Sequence, residues 1–356
     1  MTPLEREIRT IIETEGPMTV SDYMQLCLAH PRYGYYVTRD PIGTGGDFVT
    51  APEVSQMFGE LIGAWVAATW QQMGSPAKVH LVELGPGRGT LMADALRAAR
   101  ALPEFRAALS VHLVEISPAL RTRQEQTLAA EGPIRWHDTI ESIPDGPAIV
   151  VANEFVDALR VHQFVKDSDG WHLRVVGIVD DKLGFLVVPV PMPKEFNDQS
   201  PDAPNGAILE LRDEGPIDLL SQRLVRQGGA ALVIDYGHAR LGFGDTLQAV
   251  RNHRYADPLT DPGEADLTTQ VNFGELVVRA RRNGATTYGP IPQGEFLRRL
   301  GIVERAVRLK TNATPEQSAD IDAALARLTA PDQMSELFKV LAIANPKLEP
   351  LPGFDS

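Results

Sequence analysis

The 356-residue sequence predicts an α/β fold: a doubly wound, mostly parallel sheet with an inserted α+β subdomain. Three observations carry this. Short apolar runs of strand length alternate with helical patterns through residues 79–153, and the alternation returns at 230–236. A glycine-punctuated strand-to-helix turn, KVHLVELGPGRGTL, occupies Lys78 to Leu91. From Val161 to Val188 the alternation gives way to β-like segments, followed by a proline-rich stretch.

Taken in order, Leu4, Ile8, Ile11 and Ile12 recur at helical spacing, and Gly16-Pro17 stops that helix. Thr19 to Asp22 caps a second helix over Tyr23 to Ala29, and the tyrosine-rich His30 to Asp40 reads as irregular. Pro41 to Ser55, with glycines at 43, 45 and 46, is either a connector or a lid over a ligand. As a lid it would offer Asp47 and Thr50 as polar contacts. Val54 to Met73 predicts an amphipathic helix with Phe58, Leu61, Ile62, Trp65, Val66 and Trp70 facing the core.

The first core strand follows, then a helix over Leu91 to Ala101, a strand over Leu109 to Ile116 and a proline-started helix over Pro118 to Ala130. Pro133 to Ile143 holds a third strand and Pro147 to Asn153 a fourth. Pro189 to Pro204 reads as a linker or exposed loop. Leu219 to Arg226 returns to helix and Ala230 to Tyr236 to buried strand, whereas Leu241 to Thr269 is loop-rich. Helices are expected over Phe273 to Arg282, Glu295 to Leu300, Pro315 to Leu328 and Gln333 to Phe338, with a last strand over Lys339 to Ile343. The expected divisions are N-terminal helices and lid over 1–75, core over 76–160, insertion over 161–218, and core again over 219–240. A second insertion over 241–285 and the C-terminal part of the core over 286–356 complete the chain.

Lys and Arg number 34 against 47 Asp and Glu, a formal net charge of -13. That argues against a nucleic-acid surface and would favour a basic partner such as an arginine-bearing peptide. The single cysteine, Cys27, excludes an internal disulfide and a cysteine-based zinc cluster. The first residues, MTPLEREIRTIIETEG, have neither the apolar core of a signal peptide nor the low acid content of a transit sequence. No apolar run approaches the ~20 residues a membrane span requires. A soluble, cytoplasmic protein without membrane insertion is therefore expected.

The chemistry concentrates at strand ends. After Glu83, glycines stand at 85, 87 and 89, where a tight turn needs unusual dihedrals and a ligand approaches the backbone. A dinucleotide fingerprint would reserve position 90 for glycine, but Thr90 stands there. Glu83 would repel a pyrophosphate and suit an ammonium group. The pattern Glu83-x-Gly85-x-Gly87-x-Gly89 thus resembles the first motif of class I S-adenosylmethionine (SAM) methyltransferases. Glu115, at the end of the next strand, is placed to take ribose hydroxyls. Asp138, with Thr139 after it, follows the third strand and could reach an adenine amine, a solvated turn acid being the other reading. After the fourth strand, NEFVDAL places Glu154 and Asp157 three residues apart. On a helical turn both would project from one face and could hold a guanidinium by forked, charge-assisted hydrogen bonds. The plainer alternative is an acidic helix start. Asn153 and His238 are candidates to orient such a group or pass a proton, and His253 reads as a loop histidine without metal partners.

Several longer stretches in one order carry a more specific resemblance: HPRYGYY, GDFVTAPEVSQMFGE, VELGPGRGTL, NEFVDALRVHQF, IDYGH, DLTTQVNF and ELFKVLAI. With them the chain resembles the MidA-type SAM-dependent methyltransferases, bacterial relatives of the mitochondrial complex I assembly-factor arginine methyltransferase. The resemblance implies a seven-stranded Rossmann-like class I methyltransferase sheet with an insertion, and SAM as cofactor. It implies symmetric dimethylation of an arginine in a core subunit of respiratory complex I. Cofactor positions would fall on Glu83, Gly85, Pro86, Gly87, Gly89, Thr90, Glu115, Ile116, Asp138 and Thr139, with Gly46, Asp47, Phe48 and Thr50 closing over them. A homodimer is one assembly the sequence leaves open. A small-molecule methyltransferase and a SAM-binding, non-catalytic assembly factor stay open beside it.

Overall fold

The computed structural model describes residues 1–38, 50–189, 203–212, 215–240 and 242–354. The expected lid contacts Gly46, Asp47 and Phe48 lie outside the described residues, as does most of the proline-rich stretch.

The N-terminal helix α1 (Pro3–Glu15) starts where the Thr2 hydroxyl accepts the Glu5 N–H, buries Leu4, Ile8 and Ile12, and ends at Gly16. A two-residue strand, β1 (Met18–Thr19), leads into α2 (Val20–Ala29), capped by Thr19, and a single turn, α3 (Tyr35–Thr38). Beyond the undescribed stretch come α4 (Ala51–Val54) and α5 (Gln56–Gln72), separated at Ser55, whose hydroxyl accepts the Met57 N–H. The amphipathic reading of this helix needs correction. Residues on nearly every side of α5 are buried, because it lies between the sheet and other helices. Gly59 and Gly63 make that possible: a Cβ on Gly63 would stand 2.7 Å from the Cα of Ala95.

The core then alternates as expected: β2 (Val79–Leu84), α6 (Thr90–Ala99), α7 (Pro103–Ala108), β3 (Leu109–Val114), α8 (Pro118–Thr127), β4 (Ile134–His137) and β5 (Ala148–Asn153). The insertion supplies β6 (Val161–Asp167), β7 (Gly170–Val179), β8 (Lys182–Val188) and β9 (Ile208–Arg212). The core resumes with α9 (Pro216–Gln227) and β10 (Gly229–His238). The stretch expected to be loop-rich instead holds β11 (Gln248–Arg251), β12 (Arg254–Ala256) and β13 (Asp266–Thr268), a small sheet of its own. The chain continues through β14 (Val271–Asn272), α10 (Phe273–Arg282), β15 (Thr286–Pro292), α11 (Gln293–Arg299), α12 (Ile302–Lys310), α13 (Pro315–Thr329) and β16 (Phe338–Ala344). The sequence did not reveal β15 or α12. The helix expected over Gln333 to Phe338 is in part a π-helical segment, Pro331–Ser335, with non-helical backbone at Gln333, and Phe338 already belongs to β16.

The central sheet runs β15-β16-β10-β5-β2-β3-β4, with β14 joining β10 at its end. From β10 to β4 all neighbours are parallel; β16 is antiparallel to both β10 and β15. This is a seven-stranded doubly wound sheet with one reversed strand. Apolar clusters cover both faces, one built around α5 and α6 and the other around α9 and α10. A third core belongs to an accessory module. It joins α1, α2, β1, the insertion sheet and the β11–β13 sheet through Leu4, Ile8, Met24, Val161, Val176, Leu247 and Leu267.

Candidate active site

The crossovers diverge at β2 and β5, so the carboxyl ends of these strands open a crevice. A cavity of about 1100 Å³ occupies it. Its wall receives the ends of β2 (Glu83), β3 (Glu115) and β5 (Asn153), the turns that follow them, and residues of the accessory module.

The glycine turn is held in left-handed backbone: φ is 62° at Gly85, 53° at Gly87 and 81° at Gly89. At Gly85 a Cβ would also meet the Phe155 ring at 3.0 Å. Gly85, Pro86, Gly87 and Thr90 line the cavity, whereas Gly89 stands behind the wall as the N-cap of α6. Glu83 is buried. It accepts the Met92 N–H, and burial pushes its carboxyl up to about 8. Its Oε2 has no hydrogen-bond partner within the protein.

Glu115 accepts the Ser117 N–H at 2.8 Å and Gln124 Nε2 at 3.2 Å. Gln124, which sequence reasoning missed, is fully buried. It also donates to the Gly87 carbonyl at 2.7 Å and accepts Trp136 Nε1 at 2.8 Å. One amide thereby fixes the glycine turn, the acid after β3 and strand β4 together. Ile116, Asp138 and Thr139 also line the cavity; Asp138 is exposed and paired with Arg121 at 2.6 Å. Thr50 lines it too, and nearby Glu53 accepts the Thr90 hydroxyl at 2.5 Å, tying α4 to the start of α6.

Asn153, Glu154 and Asp157 line the same cavity. The helical-turn reading of residues 154–159 is corrected: Glu154 has φ 50° and the segment is a non-helical turn. Asp235, within β10, holds this turn by accepting the N–H groups of Val156 and Asp157 at 3.0 and 3.1 Å. The buried Arg212 donates to the Val156 carbonyl at 3.0 Å and to the Thr269 hydroxyl at 2.8 Å. Two acids therefore converge through backbone bracing, not helical periodicity. Glu154 Oε1 accepts Ala51 N–H at 3.2 Å and Asn153 Nδ2 at 3.3 Å. Asp157 Oδ2 accepts the Tyr236 hydroxyl at 2.7 Å.

Burial and then the nearby Asp157 push the Glu154 carboxyl up to about 8. Burial also raises Asp157, opposed by the Tyr236 hydrogen bond. Asn153 Oδ1, buried beside them, has no partner within the protein. His238 does not join this group. It lines a second cavity beyond Arg212, so the orienting or proton-passing role expected for it finds no geometric support. The reason is its place two residues past Tyr236, where β10 has already run beyond the crevice toward β14.

The sequence pattern of the family described as "Putative S-adenosyl-L-methionine-dependent methyltransferase" matches residues 61–291, well over half the chain. The chain belongs to this SAM-dependent methyltransferase family. Similar proteins include the Drosophila melanogaster "Protein arginine methyltransferase NDUFAF7 homolog, mitochondrial", 36% identical over 376 residues, covering 96% of this chain and 84% of that protein. The Homo sapiens "Protein arginine methyltransferase NDUFAF7, mitochondrial" is 38% identical over 371 residues, covering 96% and 83%. A Burkholderia thailandensis crystal structure with S-adenosyl-homocysteine bound superposes with a TM-score of 0.84 at 29% identity, covering 99% of this chain and 92% of that one.

SAM is the cofactor of the family, and the side chains present fit it. The bare Glu83 oxygen beside the glycine turn suits the ammonium of the methionine moiety. The Gln124-held Glu115 suits the ribose hydroxyls.

Proposed function

We propose that the protein transfers a methyl group from SAM to an arginine side chain of a protein. The observation that carries this is the pair of buried carboxylates, Glu154 and Asp157, beside the bare Asn153 oxygen in the cavity wall. Buried acids this close raise each other's pKa and are relieved by a cation. The volume supports the reading as well. At about 1100 Å³ the cavity exceeds the ~300–1,000 Å³ of ordinary single-ligand sites, leaving room for a cofactor and an inserted side chain.

When bound, SAM supplies an electrophilic methyl carbon on a sulfonium, and its displacement leaves S-adenosyl-homocysteine. The protein's task is to make guanidinium a nucleophile. The group stays protonated in water, with a pKa above ~12. Glu154 and Asp157 draw its charge and hydrogens to one side, so that a nitrogen facing the methyl carbon regains lone-pair density. As the N–C bond forms, a proton leaves that nitrogen. Glu154, ionised once the cation is bound against it, takes that proton. Asn153 Oδ1 accepts an N–H and fixes the plane of the group. In-line positioning supplies most of the rate.

Following the family resemblance, we further propose a core subunit of respiratory complex I as acceptor and symmetric dimethylation as outcome. No helix among the described residues is long and apolar enough to cross a membrane. The relatives are mitochondrial by name, and a cytoplasmic site of action is our reading for this chain. The test is methyl-labelled SAM with lysate of source cells lacking the protein. Label mapped to arginine in one protein supports the reading. With Glu154→Gln or Asp157→Asn, label should fall at least a hundredfold while SAM affinity stays within a few-fold. Wild-type turnover in both folded variants would overturn the assignment.

A further inference from the structure

Walls of two different origins line the cavity. Glu154, Asp157 and Tyr236 stand at the ends of core strands; Tyr36, Gln248, Asp266 and Thr268 come from the accessory module. Asp266 and Thr268 are two apart on β13, so both side chains leave the same face, the one lining the cavity. Asp266 is buried, and the Tyr36 hydroxyl donates to its Oδ1 at 2.8 Å. This repeats, from the facing wall, the 2.7 Å bond from Tyr236 to Asp157. Gln248 Nε2 donates to Thr268 Oγ1 at 3.2 Å, and Thr268 bonds the Tyr236 hydroxyl. The module thus also reaches Asp157 through Tyr236.

Glu154, Asp157 and Asp266, together with the bare Oδ1 of the more than nine-tenths buried Asn153, line one cavity. Such a set suits a cation with many N–H donors in one plane. Guanidinium has five and ammonium three, and only the former is flat.

We infer that Asp266 is the third carboxylate of the acceptor site and makes it selective for a guanidinium over an ammonium; the inference rests on the arginine reading above. Glu154 and Asp157 hold the group from the core side, and Asp266 holds it from the module side. Tyr36 and Thr268 are positioning residues, the first acting on Asp266 and the second on Asp157 through Tyr236.

The experiment is label transfer from SAM into lysate of cells lacking the protein, run with wild type, Asp266→Asn, Asp266→Glu and Tyr36→Phe. SAM affinity and melting temperature are measured in parallel. Loss of one charge-assisted contact predicts about a ten- to hundredfold drop in arginine label for Asp266→Asn, with SAM affinity within twofold of wild type. Asp266→Glu should recover part of the rate, which a purely structural role would not require, and Tyr36→Phe should fall between the two. Wild-type labelling of arginine with unchanged transfer by folded Asp266→Asn overturns this inference and leaves the arginine reading intact. Wild-type label in lysine or in small molecules only overturns both.

Discussion

Glu83 sits at the floor of the crevice with one carboxylate oxygen bonded to the Met92 N–H and the other bare. Burial raises its pKa from the usual 4.5 to about 8, so at pH 7 the ligand-free protein holds it mostly protonated. Between about 4.5 and 8 the folded state binds more protons here than the unfolded chain, so this group's contribution to stability falls as pH rises through that window. An ammonium bound against it reverses the preference. SAM binding at pH 7 is expected to release close to one proton, read as a dependence of calorimetric binding heat on buffer ionisation enthalpy. In Glu83→Gln the release should vanish and SAM affinity should fall about ten- to hundredfold. A buffer-independent heat for wild type would count against the assignment. The place of Glu83 was legible from sequence because it depends only on a strand end and the glycine turn beside it. Gln124 was not, since three of its partners come together only across separate strands and turns.

Helix α5 shows how an element can be right in place and wrong in character. Its apolar spacing marked a helix. Its burial on nearly all sides depends on Gly59 and Gly63, which let α6 approach, and spacing does not report the distance between helices. Gly63→Ala would press a methyl group to 2.7 Å from the Ala95 Cα. A loss of about 1–3 kcal/mol is expected, measured by denaturant unfolding, despite alanine's better helix propensity. A stabilised variant would show that the interface relaxes freely. The core strands were readable because parallel, two-sided burial leaves continuous apolar runs. The turn at 154–159 was misread because an acid pair three apart suits a helix as well as a turn braced from another strand. Short strands such as β13, with only three residues, carry no periodicity to read.

Across the whole molecule, the N-terminal helices do not stand apart from the insertion. Leu4, Ile8 and Ile12 share a core with Val161, Val176 and Leu267, and β1 pairs with β7 across more than 150 residues of sequence. Sequence reading placed these segments in three divisions because a common core is a property of assembly, not of any one segment. Ile8 is fully buried, so Ile8→Ala is expected to cost about 2–5 kcal/mol. Its functional effect should be uneven. Acceptor methylation should decline before SAM binding does, since the module contributes Tyr36 and Asp266 but none of Glu83, Glu115 or Gln124. Parallel loss of both on titrating denaturant into this variant would mean the module and core unfold as one unit.

The reversed strand β16 has a consequence for biosynthesis. It follows every other strand of this sheet in the sequence, yet its place is inside the sheet, between β10 and β15. Until residue 344 emerges, β10 offers a bare apolar edge of the kind that recruits other chains. A nascent chain stalled before Phe338 would carry almost every residue named above and still be an aggregation hazard. For this protein the emergence of residues 338–344 decides whether everything made before them becomes an enzyme or a clump.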